Sequence, residues 1–159
     1  MKIALIGTRG VPANYGGFET CVEEIGKRLV KKGHDVTVYC RKSYYRKKQT
    51  EYLGMKLVYL PNITKKSLDT MSHTFFSCIH ALFKPYNVYM VFNAANALFI
   101  LPLWLLGKKI LINTDGLEWK RSKWGIFGKS FYKFSEKLSC HIATRLVSDS
   151  NGIRKYYKE

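Results

Sequence analysis

Apolar and polar residues follow two periods along the chain, one typical of buried strands and the other of helices. The chain opens with the apolar run KIALIG, which predicts a buried strand. Residues 18–32 then place Val22, Ile25 and Leu29 at helical spacing, with acidic residues early and basic residues late, as the helix dipole favours. The pattern therefore predicts a strand followed directly by a helix, which Gly33 ends.

Apolar runs and helical spacings continue to alternate to the end of the chain. They predict, in chain order, strands at 35–40 and 55–61, a helix at 67–83, a strand at 87–92, a helix at 95–107, a strand at 108–114, a helix at 126–144, a strand at 145–150 and a helix from Asn151. The strands are too apolar to be solvated on either face, which is typical of a parallel sheet with helices on both faces. The sequence thus predicts one α/β domain over residues 1–159, built on a Rossmann-like parallel sheet.

The charge balance changes this picture by indicating a class of partner. The 159 residues include 27 Lys and Arg against 11 Asp and Glu, a formal net charge of +16. Such a charge favours an anionic partner, which is a nucleic acid, an acidic membrane face or a phosphorylated substrate. Since the sequence has no recognised DNA- or RNA-binding motif, nucleic acid is not the expected partner.

Cysteine and histidine positions indicate no metal or redox chemistry. The cysteines at 21, 40, 78 and 140 are too far apart for a zinc cluster and fall in apolar segments, so we expect buried free thiols in a reducing compartment. No histidine has a paired acid or a metal-ligand spacing, and we expect neither a metal nor a cofactor. The N-terminus lacks the features of a secretory signal, so the expected location is the cytoplasm.

The stretch TRGVPANYGGFE, residues 8–19, lies between the first strand and the first helix. In a parallel α/β sheet this turn lies at the carboxyl edge, where backbone N–H groups and the helix dipole hold anions. The spacing fits neither the dinucleotide fingerprint nor a Walker loop, which argues against a simple NAD site and an ATPase. Gly16 and Gly17 either form part of a binding cleft or only shape turns, and their position favours the cleft.

Four stretches together resemble the amino-terminal half of GT-B glycosyltransferases related to family 4, within a rhamnosyltransferase-like group. They are GTRGVPANYGGFETCVEEIGKRLVKKGHDVTVYC, NTDGLEWKRSKW, SEKL and SDSNGIRKYY. The resemblance covers nearly the whole chain. It implies a parent enzyme of cell-surface polysaccharide synthesis that moves a sugar from a nucleotide-sugar donor, dTDP-rhamnose, to a glycan or a lipid-diphosphate-linked acceptor.

The resemblance also implies roles for the first loop and a division of labour between domains. In such enzymes the glycine-rich loop helps to hold the donor diphosphate or the acceptor, which gives Gly16 and Gly17 that role, with Arg9 in the same turn. Family 4 members carry two glutamates separated by seven residues in a second domain, and no two glutamates here have that spacing. We therefore expect this chain to be the acceptor-side domain without its donor-binding partner, and to be inactive alone.

The loop after the predicted strand at 108–114 supplies the candidate catalytic residues. Asp115 and Glu118 are candidates for orienting or deprotonating an acceptor hydroxyl. Relatives often place a histidine near this point, so Asp115 departs from their pattern, and a plain Asp-Gly turn is the alternative. Arg121 and Lys123 in the same loop suit contacts with phosphate.

The helix predicted from Ile126 carries an apolar stripe and a basic stripe. The apolar residues are Phe127, Phe131, Phe134 and Leu138, and the basic ones are Lys129, Lys133 and Lys137. This pattern suits contact with an anionic membrane, and it equally suits packing of the apolar stripe on the core. The overall charge and the lipid-linked acceptors of the family favour the membrane, with the three lysines as contacts at its inner face. The apolar segment at 95–107 is too short to cross a bilayer and predicts a buried helix.

A second class of function stays open from the sequence. The same Rossmann-like sheet and positive charge would suit a non-enzymatic module that binds nucleotides or nucleic acid. An extension of the protein beyond residue 159 that carries the paired glutamates would distinguish the transferase from this alternative.

Overall fold

The computed structural model describes residues 1–14, 16–65, 68–114, 116–122 and 124–158. The strands are β1 (Lys2–Ile6), β2 (Asp35–Arg41), β3 (Glu51–Tyr52), β4 (Met55–Leu60), β5 (Val88–Phe92), β6 (Ile110–Thr114) and β7 (Arg145–Ser148). The α-helices are α1 (Gly17–Lys31), α2 (Asp69–Leu82), α3 (Leu101–Leu105), α4 (Ile126–Ile142) and α5 (Asn151–Tyr156). Short 3₁₀ helices cover Lys42–Tyr44, Ala94–Ile100 and Glu118–Lys120.

The strands form one sheet in the order β3-β4-β2-β1-β5-β6-β7. All neighbours are parallel except β3 and β4, which pair as an antiparallel hairpin. The predicted α/β class is therefore confirmed, while β3 was not predicted. Its two residues lie in a basic polar loop without strand periodicity, and the hairpin depends on Leu53 and Gly54, whose φ angles of 50° and 78° suit a tight turn.

The order of the strands places a reversal of direction between β1 and β5. From β1 the chain runs outward to β2 and β4, and it then returns to the other side of β1 to form β5. Helix α1 packs on one face of the sheet, and α2, α3 and α4 pack on the other. In open parallel sheets such a reversal opens a crevice at the carboxyl ends of the two central strands.

Small and polar residues form most of the buried face of α2, whereas two of its large apolar residues lie outward and Leu82 packs partly against the core. The buried residues are His73, Thr74, Ser77, Cys78 and Ala81. Phe75 and Phe76 are exposed.

Helix α4 shows the same inversion. Its buried residues are Tyr132, Ser135, Glu136, Ser139 and Ile142. The alternative prediction, that the apolar stripe packs on the core, is therefore wrong for Phe127, which is 93% exposed, and for Phe134, which is also exposed. Leu138 alone of that stripe joins the core cluster, where it is partly buried.

Two further predictions need correction. The segment at 95–107 is not one buried helix. The 3₁₀ helix Ala94–Ile100 is followed by the short helix α3, which has Pro102 in its first turn, where the ring nitrogen has no N–H to donate. Trp104 and Leu105 are exposed at its end. Cys140 is also exposed, since it lies on the solvent side of α4, whereas Cys40 and Cys78 are buried free thiols as expected.

Within the described residues, no helix is both long enough and apolar enough to cross a membrane.

Burial of His73 predicts a loss of stability in mild acid. Burial, together with the nearby charge of Arg41, lowers the pKa of this fully buried imidazole to about 4. An imidazole in the unfolded chain has a pKa of about 6.5, so below that pH the unfolded state binds more protons than the folded state. We expect His73 to cost about 3 kcal/mol of unfolding free energy between pH 6.5 and pH 4.

Denaturant titrations across this pH range measure the effect, with His73→Asn as the test variant. The variant is expected to flatten the pH dependence, while His141→Asn, at an exposed position, should leave it as in the native chain. Equal slopes for all three proteins would contradict the assignment.

Candidate functional site

A polar pocket of about 230 Å³ opens at the carboxyl edge of the sheet, beside the reversal between β1 and β5. It is lined by residues 7–9 after β1, by residues 16–19 at the start of α1, and by Arg41, Thr70 and Asn93. The N-termini of α1 and α2 both contribute to its wall. The predicted residues Arg9, Gly16 and Gly17 therefore meet in one cavity.

The two adjacent glycines contribute to this pocket in different ways. Gly16 has a φ of +96°, and a Cβ there would lie 2.7 Å from Oε2 of Glu19. It thus provides the left-handed backbone and the space that the Glu19 carboxylate needs. Gly17 begins α1, and a Cβ there would meet no atom within 4 Å. Its missing side chain leaves the pocket open for a ligand to approach the first turn of the helix.

Two glutamates of α1, one turn apart, hold the first loop in place. Oε1 of the buried Glu19 accepts a hydrogen bond from the backbone N–H of Arg9 at 3.1 Å. Oε2 of Glu23 accepts one from the N–H of Ala13 at 2.8 Å. The sequence analysis missed both residues. A glutamate at the third position of a helix, as in a capping box, is the signal that indicates such a contact.

Arg41, the last residue of β2, is a third site residue that was not predicted. Its side chain is only 5% exposed and forms an ion pair of 2.7 Å with Asp69 at the start of α2. Nη2 donates to Oγ1 of Thr70 at 2.9 Å, while the buried Nε has no hydrogen-bond partner among the described residues. Because this nitrogen is itself buried, the guanidinium contributes to the pocket wall as a positive charge held by Asp69 and Thr70.

Asn93 lies directly after β5, at the reversal point, in a strained conformation. Its φ is +74°, and its side chain accepts a hydrogen bond of 2.9 Å from the N–H of Ala95. Strained residues of this kind concentrate at functional sites. Asn93 also lines a narrow crevice on the β6 side, together with Gly116 and Glu118.

The second predicted loop brings Glu118 and Arg121 together beside this crevice. Glu118 is buried, and it forms an ion pair of 2.9 Å with the exposed Arg121. It also accepts a hydrogen bond from Nε1 of Trp124 at 3.2 Å. The candidate residues Asp115 and Lys123 lie outside the described residues.

Helix α4 carries the third group of predicted residues. Lys129, Lys133 and Lys137 are all exposed, and Nζ of Lys133 lies 4.5 Å from the ring centroid of Trp119. The Trp119 indole donates to Glu136 at 3.1 Å, and the Tyr156 hydroxyl donates to the same carboxylate at 3.2 Å. Burial raises the pKa of Glu136, and these two donors oppose that shift.

Within the part of the chain that the structure describes, no group of three or more His, Cys, Asp or Glu side chains is placed to hold a metal ion.

Comparison with known proteins gives the fold and the family. The sucrose-phosphate synthase from Thermosynechococcus elongatus superposes with a TM-score of 0.76 at 16% identity, over 99% of this chain and 44% of that one. The similarity confirms the predicted Rossmann-like fold of the GT-B type. An "Uncharacterized 42.6 kDa protein in cps region" from Klebsiella pneumoniae is 39% identical over 61 residues, which are 38% of this chain and 16% of that protein.

This chain spans less than half the length of the synthase and less than half the length of the Klebsiella protein. The family match, by contrast, spans residues 1–159 of this chain. The chain therefore belongs to the family described as "Domain of unknown function (DUF1972)".

Proposed function

We propose that this chain is the acceptor-side, amino-terminal domain of a glycosyltransferase of cell-surface polysaccharide synthesis. The parent enzyme transfers rhamnose from a dTDP-linked donor to a glycan or a lipid-diphosphate-linked acceptor. The single observation that carries the proposal is the polar pocket at the β1–β5 reversal, between the N-termini of α1 and α2. The match to a cps-region protein supports the polysaccharide context.

The pocket has the donors and acceptors that a phosphorylated sugar needs. The first-turn N–H groups of α1 offer donors to phosphate or hydroxyl oxygens, and the Arg41 guanidinium adds positive charge to the same wall. The carboxylate of Glu19, in the same wall, offers an acceptor to a sugar hydroxyl. Arg9 lies in the loop that Glu19 holds, and we assign it a phosphate contact.

The loop after β6 supplies the proposed catalytic groups. Asp115 follows Thr114, the last residue of β6, in the sequence, and we assign it the role of orienting or deprotonating the acceptor hydroxyl. Glu118, which Arg121 and Trp124 already engage, is the second candidate. Arg121 and Lys123 are proposed to contact phosphate from the rim.

Substitution of Gly17 by leucine tests the pocket. The new side chain would point into open space within the pocket, so the fold should persist while the ligand is blocked. We expect sugar transfer by the full-length parent to fall about 100-fold in kcat/KM, as for other displacements of a bound substrate by about an ångström. Transfer is measured with radiolabelled donor.

Gly152→Leu is the matched control, because Gly152 lies in the first turn of α5 and a Cβ there would meet only Oγ of Ser150 at 3.9 Å. It should transfer sugar at the native rate. The 159-residue chain alone should give no transfer. Turnover by that chain, or full activity of Gly17→Leu, would contradict the proposal.

We further propose that the domain works at the inner face of the membrane, where a lipid-linked acceptor lies. The net charge of +16 and the exposed Lys129, Lys133 and Lys137 support this association. Polybasic attraction to an acidic leaflet is worth on the order of 1 kcal/mol per residue.

Replacement of the three lysines by glutamine tests the membrane contact. The native chain should sediment with vesicles containing phosphatidylglycerol, and rising salt should release it because exposed charges are screened over about 10 Å at 0.1 M. The triple variant should bind several-fold more weakly. Its melting temperature should equal that of the native chain, because substitutions of exposed side chains rarely change stability.

Nucleic-acid binding is the competing function and also predicts sensitivity to salt. A competition between vesicles and random DNA at near-physiological salt distinguishes the two functions. Retention on DNA with no preference for acidic over neutral vesicles would favour the nucleic-acid-binding module.

A further inference from the structure

Exposed large hydrophobic side chains are concentrated on one side of the sheet. Most of them belong to α2, α3, α4 and the segments that join these helices. Phe127 is 93% exposed, Phe83 81% and Leu105 72%. Helix α1, which covers the opposite face and is described in full, exposes no large hydrophobic residue. We call the side of the domain formed by α2, α3 and α4, with the exposed Phe75, Phe76, Trp104, Leu105, Phe127 and Phe134, the α2–α3–α4 face.

The outward position of these residues is built into the two long helices. The sheet side of α2 is occupied by small residues such as Ser77 and Ala81, and that of α4 by Ser135 and Ser139. A water-exposed helix has the reverse arrangement, with large apolar residues inward. An accumulation of exposed apolar side chains on one side of a domain is typical of a protein or membrane contact.

A groove of about 530 Å³ between α2 and the segment 98–102 gives this face an apolar depression. Phe75 and Phe76 line it from α2, and Leu98 and Pro102 line it from the other side. The hydroxyl of Ser72, also in the lining, accepts from the N–H of Ile63 at 2.9 Å and donates to the carbonyl of Asp69 at 3.3 Å. Because that hydroxyl is already engaged, the groove is suited to hydrocarbon.

The charges on the same face indicate what covers it. Exposed basic residues of the same helices and joining segments accompany the apolar ones: Lys84, Lys109, Lys129, Lys133 and Lys137. The only acidic residues of α2 and α4 are Asp69, which is paired with Arg41, and Glu136, which is buried. The face therefore combines exposed cations and hydrocarbon, and the acids of its two long helices are paired or buried.

We propose that the α2–α3–α4 face docks on an anionic lipid bilayer, with its exposed aromatic and aliphatic side chains in the acyl boundary and its lysines on acidic headgroups. This arrangement is the one by which amphipathic surfaces lie in a membrane interface. The inference deepens the proposed membrane association and rests on it, because it adds hydrophobic insertion through a defined face.

A second copy of the chain is the alternative occupant. In a symmetric dimer the same patch would meet itself. Each copy carries a net charge of +16, and the lysines of this face would then oppose the lysines of the partner face. The repulsion disfavours that dimer, whereas an acidic bilayer supplies the complementary charge.

Quenching of Trp104 by lipid tests the insertion. Trp104 lies on this face and is 46% exposed, whereas the indoles of Trp119 and Trp124 are hydrogen-bonded to Glu136 and Glu118. Phosphatidylglycerol vesicles with brominated acyl chains should quench the emission of the native chain. Trp104→Phe should lose most of that quenching, with melting curves used to verify that it is folded.

Partitioning of a double variant measures the hydrophobic contribution. Leu105→Ser combined with Phe127→Ser removes two highly exposed side chains, so the fold should be unaffected. We expect partitioning into acidic vesicles to weaken at least about tenfold. Leu53→Ser is the matched control, because Leu53 is 45% exposed beside Gly54, whose Cβ position faces Val30 of α1 on the opposite face. It should partition as the native chain does.

The outcomes separate this inference from the association on which it rests. If the three lysine substitutions weaken binding but the double variant binds normally and Trp104 is not quenched, the contact is electrostatic and hydrophobic insertion is overturned. If the native chain ignores acidic vesicles, both proposals fail. A concentration-dependent dimer that the double variant abolishes, without quenching by lipid, would assign the face to a second copy.

Discussion

The site depends on one topological constraint, the return of the chain from β4 to β5 across β1. All strands but β3 run in parallel, so their carboxyl ends share an edge, and the reversal leaves the ends of β1 and β5 uncovered by a crossover between them. The N-termini of α1 and α2, on opposite faces, both point to this gap. A pocket with helix N-termini on two sides favours negative charge before any side chain is considered.

The side chains around the gap modify this preference for negative charge, and they hold the neighbouring loops in place. The buried ion pair of Arg41 with Asp69 joins the end of β2 to the start of α2, and removing either partner would leave an uncompensated charge. Glu19 holds the backbone of the first loop by a contact that Gly16 makes room for. Because the wall contains both a guanidinium and a carboxylate, it suits a ligand with phosphate and hydroxyl groups better than a simple anion.

The sequence predicts the elements that have a clear hydrophobic pattern, above all the strands of the parallel sheet. Apolar runs located the six parallel strands because a strand buried on both faces is continuously hydrophobic. Strand β3 has two residues and no period, so only its tight turn could indicate it. In the site, Gly16 and Gly17 were predictable from their place after β1. Arg41 and Asn93 were not, since their importance arises from a strand order and a backbone angle that local sequence does not encode.

The inward sides of α2 and α4 differ from those of an ordinary amphipathic helix, and the difference is informative. Serine, alanine and cysteine form part of their inward sides, while Phe75, Phe76, Phe127 and Phe134 lie outward. The first turn of α2 then joins the two surfaces, because Thr70 lines the polar pocket while Leu68 and Met71 line the apolar groove. One turn of helix rises about 5.4 Å. The apolar groove of the α2–α3–α4 face therefore lies within about one helical turn of the polar pocket along α2.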